Sequence, residues 1–299
     1  MKKRPVAFLL FLLFAPVVIS YSTPLVAKVR KISVTVSIAP QIHFLEKIGG
    51  ERVDVNLLLP PGKDPHSYAP TPNRMAKLAK SDLLFLIGVP FERTLLPKIR
   101  SVAPKTRIVQ TQKGIRKRKQ TSDREEEHHE HEKEHGEEGH DPHIWLAPPL
   151  VKIQARHMLR ALTEADPEGA SYYSTRYGRF VAELDRLHES AAAALAPYRG
   201  RTVYVFHPSF GYFTDAYGLK QKAVETEGNR PKIKDLAAFV KRAKKENVRV
   251  LFVQPQFDPT AARKIAKAID ATVVAIDPLA EDYLANMERM VRQIRAALD

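Results

Sequence analysis

The feature that most constrains this chain is the stretch 168–195. Tyr177, Phe180, Val181, Leu184, Leu187 and Ala191 recur in it at the spacing of one helical face. Ala191 to Ala194 adds strong helix formers, and Pro197 with Gly200 marks the stop. At 1.5 Å per residue such a helix is a rod of roughly 42 Å. A rod of that length between two folded parts acts as a stiff spine rather than a flexible hinge.

What flanks the spine follows one scheme on both sides. Apolar, β-branched runs at 32–38, 53–59, 83–87 and 106–109 read as strands, and a second set falls at 202–206, 222–224, 248–253 and 271–276. Helical patterns lie between them, for example at 73–79 in the first set and most clearly at 235–246 and 261–269 in the second. Strands alternating with helices imply βαβ units around a parallel sheet. The expected fold is therefore α/β: two lobes, each a four-stranded, mainly parallel sheet flanked by helices, joined by one long linking helix. The boundaries read as an N-terminal lobe over 28–165, the linking helix within 166–199, and a C-terminal lobe over 200–299.

Two segments fit neither lobe. Lys2, Lys3 and Arg4 precede an apolar run of fourteen residues, 6–19, and a polar stretch follows. That is the layout of a signal peptide, expected over 1–27, and the run is short of the ~20 residues a membrane span needs. Export with cleavage, into a bacterial periplasm, is the expectation. The second segment is 112–140: five cations between Lys113 and Lys119 give way to ten carboxylates and two cations between Asp123 and Asp141. With almost no apolar surface to bury, it reads as a disordered, solvated loop.

Composition removes several functions. The chain has no cysteine, which rules out disulfides, thiolate ligands, a cysteine nucleophile and a lipid on an N-terminal cysteine. The formal charge of +14 raises nucleic acid as a partner, but the cations are scattered, and a solvated basic surface accounts for them. No nucleic-acid partner and no lipid anchor are expected.

Chemistry concentrates where a His or Asp stands beside a proline just after an expected strand. Asp64-Pro65-His66 follows the second strand, and Asp141-Pro142-His143 ends the charged loop. His207-Pro208 and Asp277-Pro278 directly end strands of the second lobe. Ligands of open α/β sheets bind beyond the carboxyl ends of the strands, and proline fixes the turn there. His66, His143, His207 and Asp277 are thus expected to meet between the lobes. Three imidazoles and a carboxylate suit Zn²⁺ and are acceptable to Mn²⁺ or Fe²⁺. His43, His157 and His188 lie in helical stretches and read as surface or packing residues.

Several stretches, in order, carry a resemblance over about 31–297: "IGGERVDVNLLLPPGKDPHSYAPTP", "DPHIWLAP", "FHPSFGYFTDAYGL", "VRVLFVQPQF" and "VVAIDPLAEDYLANM". The chain resembles the metal-specific solute-binding proteins of bacterial ABC importers, in particular the zinc-type, ZnuA-like members. The resemblance implies metal ligands at His66, His143, His207 and Asp277, Zn²⁺ (with Mn²⁺ possible) as transported ligand, and a membrane permease as partner of a monomeric binding protein. It implies no enzyme activity. A His-rich loop ahead of the second ligand histidine usually marks a zinc-type member; His128, His129, His131, His135 and His140 supply one here, expected to gather metal outside the cleft. The family often carries a glutamate where this chain has Gln254. Rival readings are a manganese- or iron-binding member, a secreted zinc hydrolase using three histidines and water with Asp277 as base, a His-rich metal buffer, and a metal-dependent adhesin.

Overall fold

A computed structural model describes residues 30–119, 140–225, 233–257 and 259–299. The expected signal peptide and the histidines at 128, 129, 131 and 135 lie outside the described residues. Among the described residues no helix is long and apolar enough to cross a membrane.

The N-terminal lobe runs β1 (Ile32–Val36), α1 (Pro40–Gly49), β2 (Val53–Leu57), α2 (Pro72–Leu78), β3 (Leu83–Leu86), α3 (Pro90–Val102) and β4 (Arg107–Gln110). After the charged segment come α4 (Pro148–Ala165) and the spine, α5 (Ala170–Leu195). The C-terminal lobe runs β5 (Thr202–Val205), α6 (Gly211–Tyr217), β6 (Lys220–Ala223), α7 (Ile233–Lys245), β7 (Val250–Val253), α8 (Pro259–Ala268), β8 (Thr272–Ala275) and α9 (Tyr283–Leu298). Among the described residues all six strand pairings are parallel. The sheet orders β2-β1-β3-β4 and β6-β5-β7-β8 repeat one plan, so the expected two-lobed α/β fold is the fold observed. Helices α1 to α4 begin on a proline, whose missing N–H is one the first turn leaves unpaired anyway.

Strand alternation decides which side of the second sheet faces the spine. On β5, Val203 and Val205 join the large core that runs through the N-terminal lobe, α5 and α9. Tyr204 and, just beyond the strand, Phe206 point the other way, into a smaller core under α7 and α8. The large core is continuous across both lobes. At its centre Phe44 of α1 lies 5.8 Å from Phe180 of α5 and 4.9 Å, edge-on, from Tyr283 of α9. The 26 residues of α5 span about 39 Å at the α-helical rise.

One expectation is corrected here. The segment 112–140 does not read as solvated at its ends: Ile115 is buried in the large core, and Lys119 pairs with His140 in an isolated antiparallel bridge. A single apolar residue inside a basic run is enough to anchor it, because one buried side chain of this size contributes about 1.5–3 kcal/mol. Residues 120–139 lie outside the described residues.

The β3–α3 turn holds a buried carboxylate. Gly88 adopts φ 98°, and the Ile87 and Gly88 N–H groups donate to Glu92 at 2.9 and 2.7 Å. Burial nevertheless pushes the Glu92 carboxyl up to about 7. A raised carboxyl favours the folded state while protonated, so this contribution is complete below about pH 4.5 and is lost as pH rises to about 7. We expect wild type to lose stability relative to Glu92→Gln as pH rises across that window, measured by urea unfolding at stepped pH; a pH-independent difference would refute the assignment.

Candidate metal centre

Three of the four residues singled out in the sequence converge. His66, on the loop after β2, His143, before α4, and His207, after β5, each offer a ring nitrogen, and these nitrogens all lie within 4.8 Å of one another. His66 Nε2 and His207 Nε2 are 3.1 Å apart, so in the metal-free protein one donates its proton to the other. The rings line a cavity of about 10 Å³ shared with Trp145, Gln256, Phe257 and Leu279. That is the size of one small guest and far too small for an organic substrate.

Carboxylates fix two of the three rings from behind. His143 Nδ1 is 2.7 Å from Asp141 Oδ1, which also accepts the His143 peptide N–H at 2.9 Å. His207 Nδ1 is 3.0 Å from Glu225 Oε2. Engaging Nδ1 in this way turns Nε2 toward the cavity and makes it the better donor to a cation. On the third ring's loop, Asp64 shapes the turn, accepting from His66 N at 2.9 Å and Ser67 Oγ at 2.9 Å. The Phe257 ring stacks on His207 at 4.6 Å and 24°.

Electrostatics keep the His66 and His207 rings neutral. Burial first, then the neighbouring imidazoles, push His66 down to about 3. Burial and His143 do the same for His207, also to about 3. Burial raises Glu225 to about 7, with Asp64 adding to it. Burial would also raise Asp141, but the His143 ring and peptide N–H, with the Arg118 guanidinium, together hold it below the usual carboxylate range.

The fourth expected residue is not in this cluster. Asp277 stands after β8, as anticipated, but its Oδ1 accepts from Gln256 Nε2 at 2.8 Å and from the Leu279 peptide N–H at 2.9 Å. Those two donors tie the carboxylate to its own turn and to the segment after β7. The lobes meet beside it through Trp145, whose indole N–H donates to the Pro278 carbonyl at 2.7 Å. His140 is half-buried at the bridge with Lys119. The remaining histidines pack: His43 lies 6.1 Å from Phe180 and 6.4 Å from Tyr283, His188 5.5 Å from Tyr217, and His157 Nε2 donates to the Lys113 carbonyl at 2.9 Å.

Sequence reasoning gave no role to Asp141 or Glu225, and read Gln254 only as a lost charge. Gln254 is buried, and its amide donates to the His207 carbonyl and to Ser209 Oγ, each at 2.9 Å, while its oxygen takes the His207 N–H at 3.3 Å. A glutamate there could accept but could not donate to the His207 carbonyl. The available signal was a polar residue directly ending the apolar strand β7.

A family model described as ZnuA, zinc-uptake complex component A, periplasmic, matches residues 34–297. The high-affinity zinc uptake system protein ZnuA of Bacillus subtilis is 28% identical over 253 residues, covering 83% of this chain and 77% of that one. The manganese ABC transporter substrate-binding lipoprotein PsaA of Streptococcus anginosus is 25% identical over 264 residues, covering 85% and 82%. A crystal structure of ZnuA superposes with a TM-score of 0.82 at 35% identity, covering 90% of this chain and 100% of that one. A ZnuA lacking its residues 138–173, described as zinc bound, matches equally, at 35% identity and 0.82, covering 90% and 98%.

Gln254→Met should leave the buried His207 N–H without a partner and its carbonyl with only the Ser209 N–H, 2.8 Å away, and cost about 1–3 kcal/mol. Chemical unfolding of the metal-free protein measures it; an unchanged midpoint would mean Gln254 does not hold the His207 turn.

Proposed function

The chain belongs to the ZnuA family of metal-binding components of ABC importers, and from that premise we propose that it captures Zn²⁺ outside the cytoplasmic membrane and delivers it to a membrane permease. The observation that carries this reading is the cluster of three imidazoles, drawn from both lobes, around a cavity sized for one ion. His66, His143 and His207 are the ligands, each through a ring nitrogen. Binding displaces the proton shared by His66 and His207, as metal capture by imidazoles requires. Nitrogen donors favour zinc over manganese, which prefers carboxylate and carbonyl oxygen. Manganese binding by a relative such as PsaA makes the two metals the comparison to test.

Asp277 is the fourth ligand that the family pattern suggests. To serve, it must give up Gln256 or bind through its other oxygen, so it contributes less than any of the histidines. The reading assigns no catalytic step to the chain: the base a hydrolase would need at Asp277 is engaged by Gln256 and Leu279. The His-rich tract is auxiliary. The three clustered histidines already offer a set of ligand nitrogens, and a ZnuA with an internal deletion is described as zinc bound. The binding protein works in the periplasm as a monomer. Release follows when the permease draws the two lobes' ligands apart.

The test is competition of Zn²⁺ and Mn²⁺ against a chelating indicator, with the metal-free chain lacking residues 123–140. One tight zinc site and weaker manganese are expected. A folded sample with no tight site would place binding in the tract and sink the reading. Tighter manganese would make this a manganese carrier.

In the same assay, His66→Ala, His143→Ala and His207→Ala should each weaken zinc by more than the about 10–100-fold typical of losing a supporting group. Asp277→Asn should fall within that range. An Asp277 loss as large as the histidine losses would show that the carboxylate reaches the ion.

A further inference from the structure

We propose that Arg118 and Tyr212 form a clasp that closes the cleft, and that this clasp, rather than the ligand set alone, sets how long the metal stays bound. The role in metal residence rests on the function proposed above; the clasp itself does not.

The clasp joins two places far apart in the chain. Arg118 and Asp141 form the two sides of a narrow stem, joined by the Asp141 N–H donating to the Arg118 carbonyl at 3.0 Å and, one step out, by the Lys119–His140 bridge. Tyr212, on α6 of the other lobe, grips both sides at once. Its hydroxyl accepts from the Arg118 peptide N–H at 3.0 Å and donates to the Asp141 carbonyl at 3.2 Å. Both bonds cross from one lobe to the other.

The Arg118 side chain repeats the grip in charge. One guanidinium nitrogen is 3.2 Å from Asp141 Oδ2, and Nε lies 3.1 Å from Asp215 Oδ2 on α6, an ion pair without hydrogen-bond alignment. The guanidinium also sits 5.9 Å over the Tyr212 ring. Asp215 is 59% exposed, so that arm alone is worth little. The Asp141 arm is different, because that carboxylate is 1% exposed.

The space for this guanidinium is made by Gly211. A Cβ there would come within 1.2 Å of the Arg118 nitrogen and 2.5 Å of Asp141 Oδ2. The first residue of α6 thus has no side chain where the arginine needs its room.

The link to the metal is direct. The Asp141 carboxylate that Arg118 holds by Oδ2 holds the His143 ring by Oδ1. His143 comes from the first lobe and His207 from the second, and a cation needs both. Loosening the clasp frees the His143 arm from α6 and lets the ligand set come apart, so dissociation quickens while capture, which begins from an open cleft, does not.

The test uses the chain's lack of cysteine. Spin labels go on Val102→Cys in the first lobe and Lys267→Cys in the second, both exposed, and interlobe distances are measured in the metal-free protein. Zinc association and dissociation rates are measured on the unlabelled chain. Arg118→Ala and Tyr212→Phe should each broaden or lengthen the distance distribution and speed zinc dissociation about 10–100-fold, the range for groups supporting a ligand. Association should stay within about twofold of wild type. Gly211→Ala, which evicts the guanidinium, should match Arg118→Ala. Tyr212→Phe keeps the ring in the core, so it guards against misfolding of the alanine variants. Distributions that superimpose on wild type in both Arg118→Ala and Tyr212→Phe overturn the clasp, whatever the zinc result. Distances that respond with unchanged dissociation overturn its role in residence time. A wild type without a tight zinc site, but with distances that respond, leaves the clasp standing and overturns the function proposed above.

Discussion

Three rings set the position of everything in the cleft. Phe44 of the first lobe meets both Phe180 of the spine and Tyr283 of the second lobe, so α1, α5 and α9 share one buried contact. Aromatic pairs of this kind contribute about 0.5–1.5 kcal/mol beyond their buried area, and here they lie inside a core that runs unbroken from lobe to lobe. Lobes welded along a common core cannot swing like domains on a loose linker. The loops at the carboxyl ends of the strands are therefore kept within reach of one another, and a cluster of nitrogens within 4.8 Å can be built from residues 66, 143 and 207. Movement needed for release falls to those loops and to small shifts of one lobe against the spine.

The cluster itself illustrates how a buried polar site is made stable. Three largely buried imidazoles are costly unless their other nitrogens and the surrounding peptide groups find partners. Asp141 and Glu225 supply two of those partners, and Gln254 ties down the His207 peptide on both its sides. The cavity face is left rich in lone pairs, while the back of the site is bonded. An array of this kind is preorganised for a small cation and has little to offer a larger ligand.

How much of this the sequence disclosed divides along a physical line. Strand periodicity, the apolar face of the long helix and the His-Pro and Asp-Pro turns are local signals, and they placed both sheets, α5, and the loops bearing His66, His143, His207 and Asp277. Contacts between residues far apart in the chain left no local trace. Nothing near Glu225 or Gln254 announces His207, and Asp277 was expected in the cluster because nothing in its own turn revealed that Gln256 would hold it. The ends of the charged segment misled for a related reason. Charge density there suggested solvent throughout, whereas Ile115 is buried and Arg118 finds three partners contributed by Asp141 and α6. Average composition hides a single well-placed side chain.

The Lys119–His140 bridge has a consequence for how such a chain can vary. Lys119 and His140 lie side by side, paired with each other, so the connection between them starts and finishes at one place. Closing a longer connection between fixed ends costs only about 0.6 kcal/mol for each doubling of its length. The stem is in effect a socket: chain can be inserted, shortened or replaced there while the sheets, the spine and the histidine cluster keep their places. Inheritance of the cleft and inheritance of the tract are thereby separable, and selection can tune the number of histidines in one without disturbing the geometry of the other.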